Sequence, residues 1–562
     1  MPIRPSLRLA LLPAAIAAAF AGAPVGAVAA DGPISTLAGT TAGNAGDGGP
    51  AAAAQLNQPR GLARAADGRL LIADTANGSV REVGTDGIIR TVVDSSVFRQ
   101  VTQLSGAPVA VAYETTGDTI LVLDRVGHYL ARVTRAPNAN ALATVTPIAG
   151  TRDTPGNTGD GGPATAARLN GPTTFLRLAD GAILIADTGN NRIRRVVPGG
   201  TITAWAGTGE SGAGGDGGPA TDARLNAPTG LALMLDGSVL IADTGNNRIR
   251  RVTPSGTITT VAGTGTAGFS NDGSPATTAL LSAPTGVAPL GTNGAFLVAD
   301  TGNSRLRRVT PLGTIFTISG GAAGLAGDGG PASGGQLSGP TALLATPSGG
   351  FLVADSGNSR IRQLASDGAL PGPAPGRSLR ISPISGSVRA LLAGRAGVTL
   401  REPDLIQLGS RTDTEAGQAT IETATAAGTV RTATVSGGEF ATEQPRGPVE
   451  TVFKLTASLN GCRASEGGPV LAGAAKAGAK KPKKKRKRRA RKIFVQSDGG
   501  HRTNGRYADA VVRGTKWSVQ DFCTSTRVTV FEGAVEVRDR VKKKRVLIPA
   551  GKRYVARRAA TK

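Results

Sequence analysis

The sequence has few of the side chains on which most enzyme and metal sites depend. Its 562 residues include two histidines, two cysteines and two tryptophans, and aromatic residues make up only 3%. One histidine, His128, falls between residues 31 and 366, so a histidine-rich zinc site is excluded there. The motifs G-x-S-x-G and H-E-x-x-H and the phosphate-binding loop are absent. The 81 glycines and the scarcity of aromatics favour short strands joined by tight turns over a helical bundle.

Long apolar runs are absent after the first thirty residues, which predicts no membrane-spanning helix downstream. Residues 1–30 combine basic Arg4 and Arg8, an apolar stretch and a small-residue "AVAA" ending, which predicts a secretory signal. The alternative is a membrane anchor, which Pro13 and Pro24 disfavour because they interrupt the apolar run. The richness in Ala, Gly and Arg indicates a bacterial source, and we expect a secreted or surface-associated protein.

Cysteine is limited to Cys462 and Cys523. An even pair in an exported chain predicts one disulfide, because the compartment is oxidising. Two separate buried thiols are the alternative.

The chain repeats itself with a fixed period. "GDGGP" or its variant "NDGSP" begins at 46, and again at 159, 215, 271 and 327, so the last four copies are 56 residues apart. An aliphatic run ends in aspartate six times, at Asp74, Asp124, Asp187, Asp243, Asp300 and Asp355. Such self-similarity indicates a repeat architecture whose units bury their faces against one another.

Each unit contains four β-branched runs separated by Asp-Gly, Gly-Asn or Pro-Gly, as in residues 227–263. This pattern predicts four antiparallel strands, which form one propeller blade. A copy of the fourth run, "ISTLAG" at 34–39, precedes the first unit, and the last unit lacks one. We therefore predict an all-β, six-bladed propeller over residues 31–366, closed by the N-terminal strand. The unit around Asp124 is degenerate because it lacks "GDGGP".

The segment "GPTGLAL…DGSVLIADTGNNRIRRVTPSGTITTVAG" closely resembles the NHL repeat, and the resemblance covers roughly 330 residues with constant phase. The resemblance implies a propeller that usually acts as a binding platform. Some proteins similar in sequence or shape are enzymes, including six-bladed lactonases and amidating lyases.

Residues that recur in every unit are expected to serve the fold rather than one site. We assign a structural role at the turns to Asp74, Asp187, Asp243, Asp300 and Asp355, and to Arg192, Arg248, Arg305 and Arg360. With this structural role no cofactor is expected. The alternative is an aspartate ring that binds a cation, and calcium is then the possible ligand. "GDGGP" lacks the alternating carboxylates and closing Glu of a calcium loop. The turns after the second strands and the long connectors share one face of the ring, where loops could bind a ligand.

A Pro/Gly-rich linker at 367–378 separates the repeats from a C-terminal region in which the repeat motifs are absent. Short alternating strands are predicted at 406–425 and at least four more at 511–558. The residues that carry a resemblance to the FecR-type β domain are Leu408 to Ser410, Thr412 to Thr414, Gly514, Thr515, Trp517, Glu532, Gly533, Val535, Val537, Ala550 and Gly551. The resemblance implies an exported β domain in two parts, 379–461 and 493–562, that takes part in surface sensing. The family's usual membrane helix and cytoplasmic segment are lacking.

Between those parts we predict a basic, unfolded insertion at 462–492. Its basic tract, residues 476–492, carries twelve positive charges and no negative one. A tether to an anionic envelope polymer is expected from Lys483, Lys484, Lys485, Arg486, Lys487, Arg488 and Arg489. The alternative is a merely solvated insertion. Specific nucleic-acid binding is not expected, because aromatic residues are not interleaved.

The sequence as a whole predicts a non-enzymatic binding scaffold at the cell surface or outside the cell. Its expected partners are a protein or an envelope glycan at the connectors and an anionic polymer at the basic tract. The alternative is a calcium-dependent, lactonase-like or lyase-like propeller hydrolase.

Overall fold

The computed structural model describes most of the repeat region and the strands that follow it. The described residues are 32–94, 106–114, 119–134, 144–270, 272–291, 294–346, 350–365, 378–391, 398–400, 404–407, 411–424, 430–436, 439–443, 451–455, 491–497, 501–504, 508–512, 515–521 and 525–557. The predicted signal, the linker up to residue 377, Cys462, Cys523 and the tether residues Lys483 to Arg489 lie outside them.

The described part of residues 32–365 forms six antiparallel sheets of four or five strands each. Strand β1 (Ile34–Ala38) comes first in the chain. Sheets 1 to 3 contain β2 (Pro59–Arg64), β3 (Leu70–Asp74), β4 (Ser79–Val83) and β5 (Ile89–Val93); β6 (Pro108–Tyr113), β7 (Thr119–Asp124), β8 (Tyr129–Thr134) and β9 (Thr144–Ala149); β10 (Thr174–Arg177), β11 (Ile183–Asp187), β12 (Arg192–Val196) and β13 (Ile202–Ala206). Sheets 4 to 6 contain β14 (Pro228–Leu233), β15 (Val239–Asp243), β16 (Arg248–Val252) and β17 (Ile258–Ala262); β18 (Ser274–Pro275), β19 (Gly286–Leu290), β20 (Ala295–Asp300), β21 (Arg305–Val309) and β22 (Thr314–Gly320); β23 (Pro340–Ala345), β24 (Phe351–Asp355) and β25 (Arg360–Leu364).

Strand β1 completes sheet 6 and joins the two ends of the repeat region. It pairs antiparallel with β25, with Ile34 opposite Leu364. One edge strand of each sheet contacts the corresponding strand of the next sheet, and β23 contacts β2; these strands are β2, β6, β10, β14, β19 and β23. The sheets are therefore arranged in a closed ring with these strands innermost, and the N-terminal strand occupies the position that its sequence phase predicts.

The apolar core lies between neighbouring sheets. The second strand of every unit is a nearly continuous aliphatic run, and all five residues of β15 are buried. Ile241 of β15 belongs to the same buried cluster as Leu184 of β11 in the preceding sheet. Each sheet thus has a buried face toward each neighbour, which explains why these strands are apolar at consecutive positions rather than at alternate ones.

A turn of 3₁₀ helix follows the second strand, and its last position requires a left-handed backbone. In the fourth unit the turn is Thr244–Asn246, and Asn247 follows it with φ of 51°. Asparagine tolerates this conformation well, which explains why the second asparagine of the "TGNN" segment stands at this position. The same turn in the other units is Thr75–Asn77, Thr188–Asn190, Thr301–Asn303 and Ser356–Asn358.

The "GDGGP" segment covers the outer edge of the sheet that follows it. Gly48 donates its backbone N–H to Ile89 of β5 at 2.9 Å, and Ile89 donates back to Gly49 at 3.0 Å. A covered edge cannot pair with another chain. A single 3₁₀ turn follows the proline of each such segment, at Ala51–Ala53, Ala164–Ala166, Ala220–Asp222, Ala276–Thr278 and Ala332–Gly334.

The strands after residue 377 form one further sheet of fifteen strands. They are β26 (Ser378–Leu391), β27 (Val398–Leu400), β28 (Asp404–Gln407), β29 (Arg411–Ala424), β30 (Val430–Ser436), β31 (Glu439–Glu443), β32 (Thr451–Leu455), β33 (Arg491–Ser497), β34 (His501–Asn504), β35 (Ala508–Val512), β36 (Thr515–Asp521), β37 (Ser525–Glu532), β38 (Ala534–Asp539), β39 (Lys544–Pro549) and β40 (Arg553–Arg557).

A strand before the basic tract pairs with one that begins at its end, since Arg491 and Lys492, predicted to be unfolded, are the first residues of β33. Strand β30 pairs with β33, and Trp517 is fully buried with its indole N–H on the Thr503 hydroxyl at 3.1 Å. The prediction of several short strands at 406–425 differs from the structure, because β29 is continuous. Its length matches β26, with which it pairs along most of both strands.

In the part of the chain that the structure describes, no helix has the length and apolar character needed to cross a membrane.

The closure by β1 makes a testable prediction. Ile34 is fully buried in the cluster that contains Phe351 and Leu364. Ile34→Ala should lower the free energy of unfolding by about 2–5 kcal/mol, because it leaves a cavity in this core. The matched control is the adjacent, exposed Ser35→Ala, for which a change within about 0.5 kcal/mol is expected. Equal denaturant midpoints for the two variants would show that β1 is not part of the ring.

Candidate functional site

The connectors and the turns after the second strands lie on one side of the ring, which we call the connector face. Among the described residues it comprises 39–58, 150–171, 207–227, 263–270, 272–283 and 320–339, together with the turns after Asp74, Asp124, Asp187, Asp243, Asp300 and Asp355. The turn between the first two strands of each sheet, such as that at Leu235, lies on the opposite side because antiparallel strands alternate in direction.

A buried arginine joins two aspartates in each regular unit. In the fourth unit Arg250 is fully buried, and it contacts Asp243 at 3.2 Å and Asp216 of the "GDGGP" segment at 2.8 Å. The carboxylate of Asp243 also accepts the side-chain amide of Asn246 at 2.8 Å and the backbone N–H of Asn226 at 2.7 Å. A buried charge is tolerated only when it is paired in this way. The network therefore fastens the connector to the end of the second strand.

The same network recurs in four other units. Its members are Arg81 with Asp74 and Asp47, Arg194 with Asp187 and Asp160, Arg307 with Asp300 and Asp272, and Arg362 with Asp355 and Asp328.

Burial raises the pKa of the aspartate at the end of each of these second strands, against the opposing effect of its hydrogen bonds and of the arginine. The pKa of Asp187 is raised the most clearly, to about 6. Its arginine, Arg194, lies 3.7 Å from the carboxylate, whereas Arg250 lies 3.2 Å from Asp243. A raised carboxyl pKa means that the folded state favours the protonated form of Asp187. The contribution of Asp187 to stability therefore decreases as pH rises from about 4 to 6.

The four arginines that begin the third strands are placed differently from the buried ones. Arg192 donates to the Thr208 carbonyl at 3.0 Å and pairs with Asp160 at 3.1 Å. Arg248 donates to the Thr264 carbonyl at 2.8 Å. These side chains reach the start of the following connector. The remaining two are half-buried: Arg305 stacks on Phe269 of the preceding connector at 3.8 Å, and Arg360 donates to the Thr40 carbonyl at 3.1 Å.

The buried arginines are not among the residues predicted from the sequence. They stand seven residues after the aspartate in each regular unit, at Arg81, Arg194, Arg250, Arg307 and Arg362. They also stand 34 or 35 residues after the aspartate of "GDGGP", as Arg250 does after Asp216. This constant spacing is the signal that could have identified them.

The unit around Asp124 lacks the whole network. The residue seven positions after Asp124 is Ala131, and the "GDGGP" segment is absent. Asp124 instead accepts the backbone N–H groups of Val126 at 3.1 Å and Gly127 at 2.9 Å. The arginine and its outer aspartate are thus missing together, as expected if each requires the other.

His128 occupies the left-handed position of the degenerate unit, with φ of 59°. Its Nδ1 accepts the backbone N–H of Gly171 at 2.9 Å. In the next unit the side-chain oxygen of Asn191 accepts the N–H of Ala227 at 2.9 Å in the same way. His128 therefore links two units, and burial lowers its pKa.

Within the described residues, no three His, Cys, Asp or Glu side chains form a group that could hold a metal ion. The repeated aspartates each engage the arginine and asparagine of their own unit. Glu82 accepts a hydrogen bond from Tyr113 at 2.6 Å, and Glu114 pairs with Arg132 at 2.6 Å. Glu210 pairs with Arg224 at 2.8 Å.

Comparison with known proteins relates the repeat region to teneurins. The family model described as the teneurin NHL domain matches residues 25–112. Teneurin-3 of Danio rerio is 28% identical over 242 residues, which is 37% of this chain and 8% of that protein. Teneurin-m of Drosophila melanogaster is 28% identical over 365 residues, which is 59% of this chain and 13% of that protein. The chain thus spans a small part of the length of these relatives.

Among solved structures, virginiamycin B lyase from Staphylococcus aureus is 15% identical, with a TM-score of 0.33 over 55% of this chain and 84% of that one. The family-model match and the teneurin relatives, together with the ring of four-stranded sheets, support the interpretation of the repeat region as an NHL-repeat β-propeller. The resemblance of the C-terminal sheet to the FecR-type domain stays a prediction.

The buried network predicts that substitution of two neighbouring arginines will lower the free energy of unfolding by different amounts. Arg250→Met should lower the free energy of unfolding by about 3–5 kcal/mol, because it leaves Asp243 buried without its counter-charge. The control is Arg251→Met, whose side chain is partly exposed and pairs with Asp236, and which should cost about 0–1 kcal/mol. Chemical unfolding measures both. Similar costs for the two variants would contradict the role assigned to the buried residue.

His128 predicts a specific pH dependence. Because its pKa is lowered in the folded protein, its contribution to stability is full above the unfolded value of about 6.5 and is lost as pH falls toward the folded value. His128→Asn supplies a neutral acceptor, as Asn191 does, and should remove this component. The melting temperatures of the two proteins should approach each other, or cross in favour of the variant, as pH falls from 7.5 to 5.5. Parallel profiles would contradict the assignment.

Proposed function

We propose that this chain is a non-enzymatic binding scaffold that acts outside the cell or at its surface. In this proposal the six sheets are the blades of a closed six-bladed propeller, and the connector face binds a protein ligand. The basic tract holds the scaffold near an anionic polymer of the envelope.

The observation that carries the proposal is the internal use of the repeated polar residues. The aspartates and arginines of the network fasten connectors to blades, as Arg250 does, and this rigidifies the connector face. Loops held by a rigid scaffold are the usual place for binding. The connector face also exposes large apolar side chains at Val126 (54%), Phe269 (42%) and Leu325 (45%), which are typical of protein contact surfaces.

The tether is proposed from charge alone. The tract carries twelve positive charges within seventeen residues, 476–492, and the chain has a formal net charge of +25. Such a block binds polyanions with a strong dependence on salt concentration. The proposed binding by the connector face relies partly on apolar contacts and is expected to depend less on salt.

The proposal predicts where a protein ligand will crosslink. A photoreactive amino acid at Leu325, on the connector face, should give a discrete crosslinked protein when the full chain is mixed with envelope material. The matched control is Leu235, which is 59% exposed on the opposite side of the ring. Replacing Lys483 to Arg489 by glutamine should abolish salt-sensitive retention on anionic polymer and leave the Leu325 crosslink in place.

Two results would contradict the proposal. One is equal crosslinking from Leu325 and Leu235, or loss of the crosslink when the tract is neutralised, because the connector face would then have no specific role. The other is calcium retained in stoichiometric amount through dialysis, with hydrolysis of a lactone, which would favour the enzyme alternative.

A further inference from the structure

A ring of hydroxyl groups surrounds the connector-face end of the central channel. In four units a threonine follows the proline at or just before the start of the innermost strand, at Thr173, Thr229, Thr285 and Thr341. Each of these hydroxyls contacts a second hydroxyl in the turn of its own unit at 2.6–2.7 Å, that of Thr188, Thr244, Thr301 or Ser356.

The second hydroxyl then bonds to the next blade. Thr244 donates to the Pro284 carbonyl at 2.7 Å, and Thr188 donates to the Pro228 carbonyl at 2.7 Å. These paired hydroxyls are neutral and mutually satisfied. The ring is therefore a structural seam between blades rather than a source of charge.

Three positions of this ring depart from the pattern. Val109 follows Pro108 in the degenerate unit, and the other two positions carry arginine. Arg60 follows Pro59, which is opposite Asp74 in the same register that places Pro228 opposite Asp243. Arg60 therefore occupies the position of the ring threonines. Arg125 follows Asp124 and occupies the turn position of Thr188 and its equivalents.

The two arginines lie on neighbouring blades at the same end of the channel. Arg60 belongs to β2, and Gly61 after it lies directly against the backbone of Val109 in β6, the innermost strand of Arg125's own sheet. Arg60 is half-buried, and Arg125 is exposed.

Neither arginine side chain hydrogen-bonds to or pairs with any described residue. The buried arginines of the network, by contrast, are paired, as Arg250 is with Asp216. Burial, together with the positive charge of Arg125, lowers the pKa of Arg60. Asp94 directly follows β5, and residues 95–105 contain no Asp or Glu. Two guanidinium groups without a partner among the described residues therefore share one channel mouth.

We propose that Arg60 and Arg125 form a carboxylate-binding site that receives an acidic segment of the protein ligand of the connector face. This inference rests on the proposed function and names the chemistry of its ligand. Guanidinium groups bind carboxylates through paired, charge-assisted hydrogen bonds. Exposed Val126 lies beside Arg125 in the chain, so the site combines charge with an apolar contact, as the centres of protein interfaces do.

A second copy of this chain is a poor occupant, because its net charge of +25 would repel. An acidic partner is instead attracted to the mouth by its charge. The site is generated by the degenerate unit and its neighbour, and it gives an otherwise repetitive face one singular position.

The test uses threonine, which most of the other units carry at these positions, so the variants are expected to fold. The background is the full chain with Lys483 to Arg489 replaced by glutamine, which removes seven of the twelve positive charges of the tract and so weakens its binding to polyanions. The proteins are this background, Arg60→Thr, Arg125→Thr and the double variant, with Arg195→Thr on the opposite side as the control. The probes are an aspartate-rich peptide and an asparagine-rich peptide of equal length, followed by fluorescence anisotropy.

The background protein should bind the aspartate-rich peptide and not the asparagine-rich one. The double variant should lose about tenfold or more in affinity, and Arg195→Thr should not. Without peptide, the double variant should melt at a higher temperature, because a like-charge repulsion is removed; arginines that only support the fold would give a lower one.

Three results would overturn the site: no binding of the aspartate-rich peptide, unchanged affinity in the double variant, or a lowered melting temperature of the double variant. If the Leu325 crosslink forms equally in the double variant, the connector face still binds its ligand and only the arginine site fails. If the crosslink is absent from the background protein as well, the proposed function fails.

Discussion

The structure depends on a charge that is buried once in each regular unit and neutralised from two sides. Arg250 and its equivalents have no exposed guanidinium, so the fold is stable only when both the strand-end aspartate and the "GDGGP" aspartate are in place. This requirement explains why two motifs that are distant in sequence recur together. It also explains why a long, glycine-rich connector can be held in one conformation on the outside of the blade.

The same constraint explains what is different about the second unit. Without the arginine at position 131 and without "GDGGP", that unit has no internal network to maintain. The ring of paired hydroxyls is interrupted at the same place, by Arg60 on one blade and Arg125 on the next. In a repeat protein, a residue that serves every blade carries no information about a ligand. A ligand site is therefore expected where the repeat is broken.

The sequence was sufficient for the propeller and for its closure, because the period, the Asp-Gly turns and the early "ISTLAG" strand are all local signals. It assigned the turn role of Asp243 but singled out Arg248 rather than Arg250. Both arginines lie on one face of an ideal strand, and the irregularity between Ile249 and Arg250 changes the register with β17 at this point. The importance of Arg60 became visible only through its register with Asp74, since a Pro-Arg pair in sequence has no meaning by itself.

The central claim is that the buried arginine, through the "GDGGP" aspartate, holds the connector in place. Native-state hydrogen exchange of Asp216→Ala tests it most directly. The amide of Gly217, which donates to the Ile258 carbonyl at 2.8 Å, should exchange at least about tenfold faster than in the unmodified protein. The equivalent amide of Gly161 in the preceding unit, which donates to Ile202 at 2.8 Å, should be unchanged. Unaltered exchange at Gly217 would contradict the account, because the connector would then be held without the arginine.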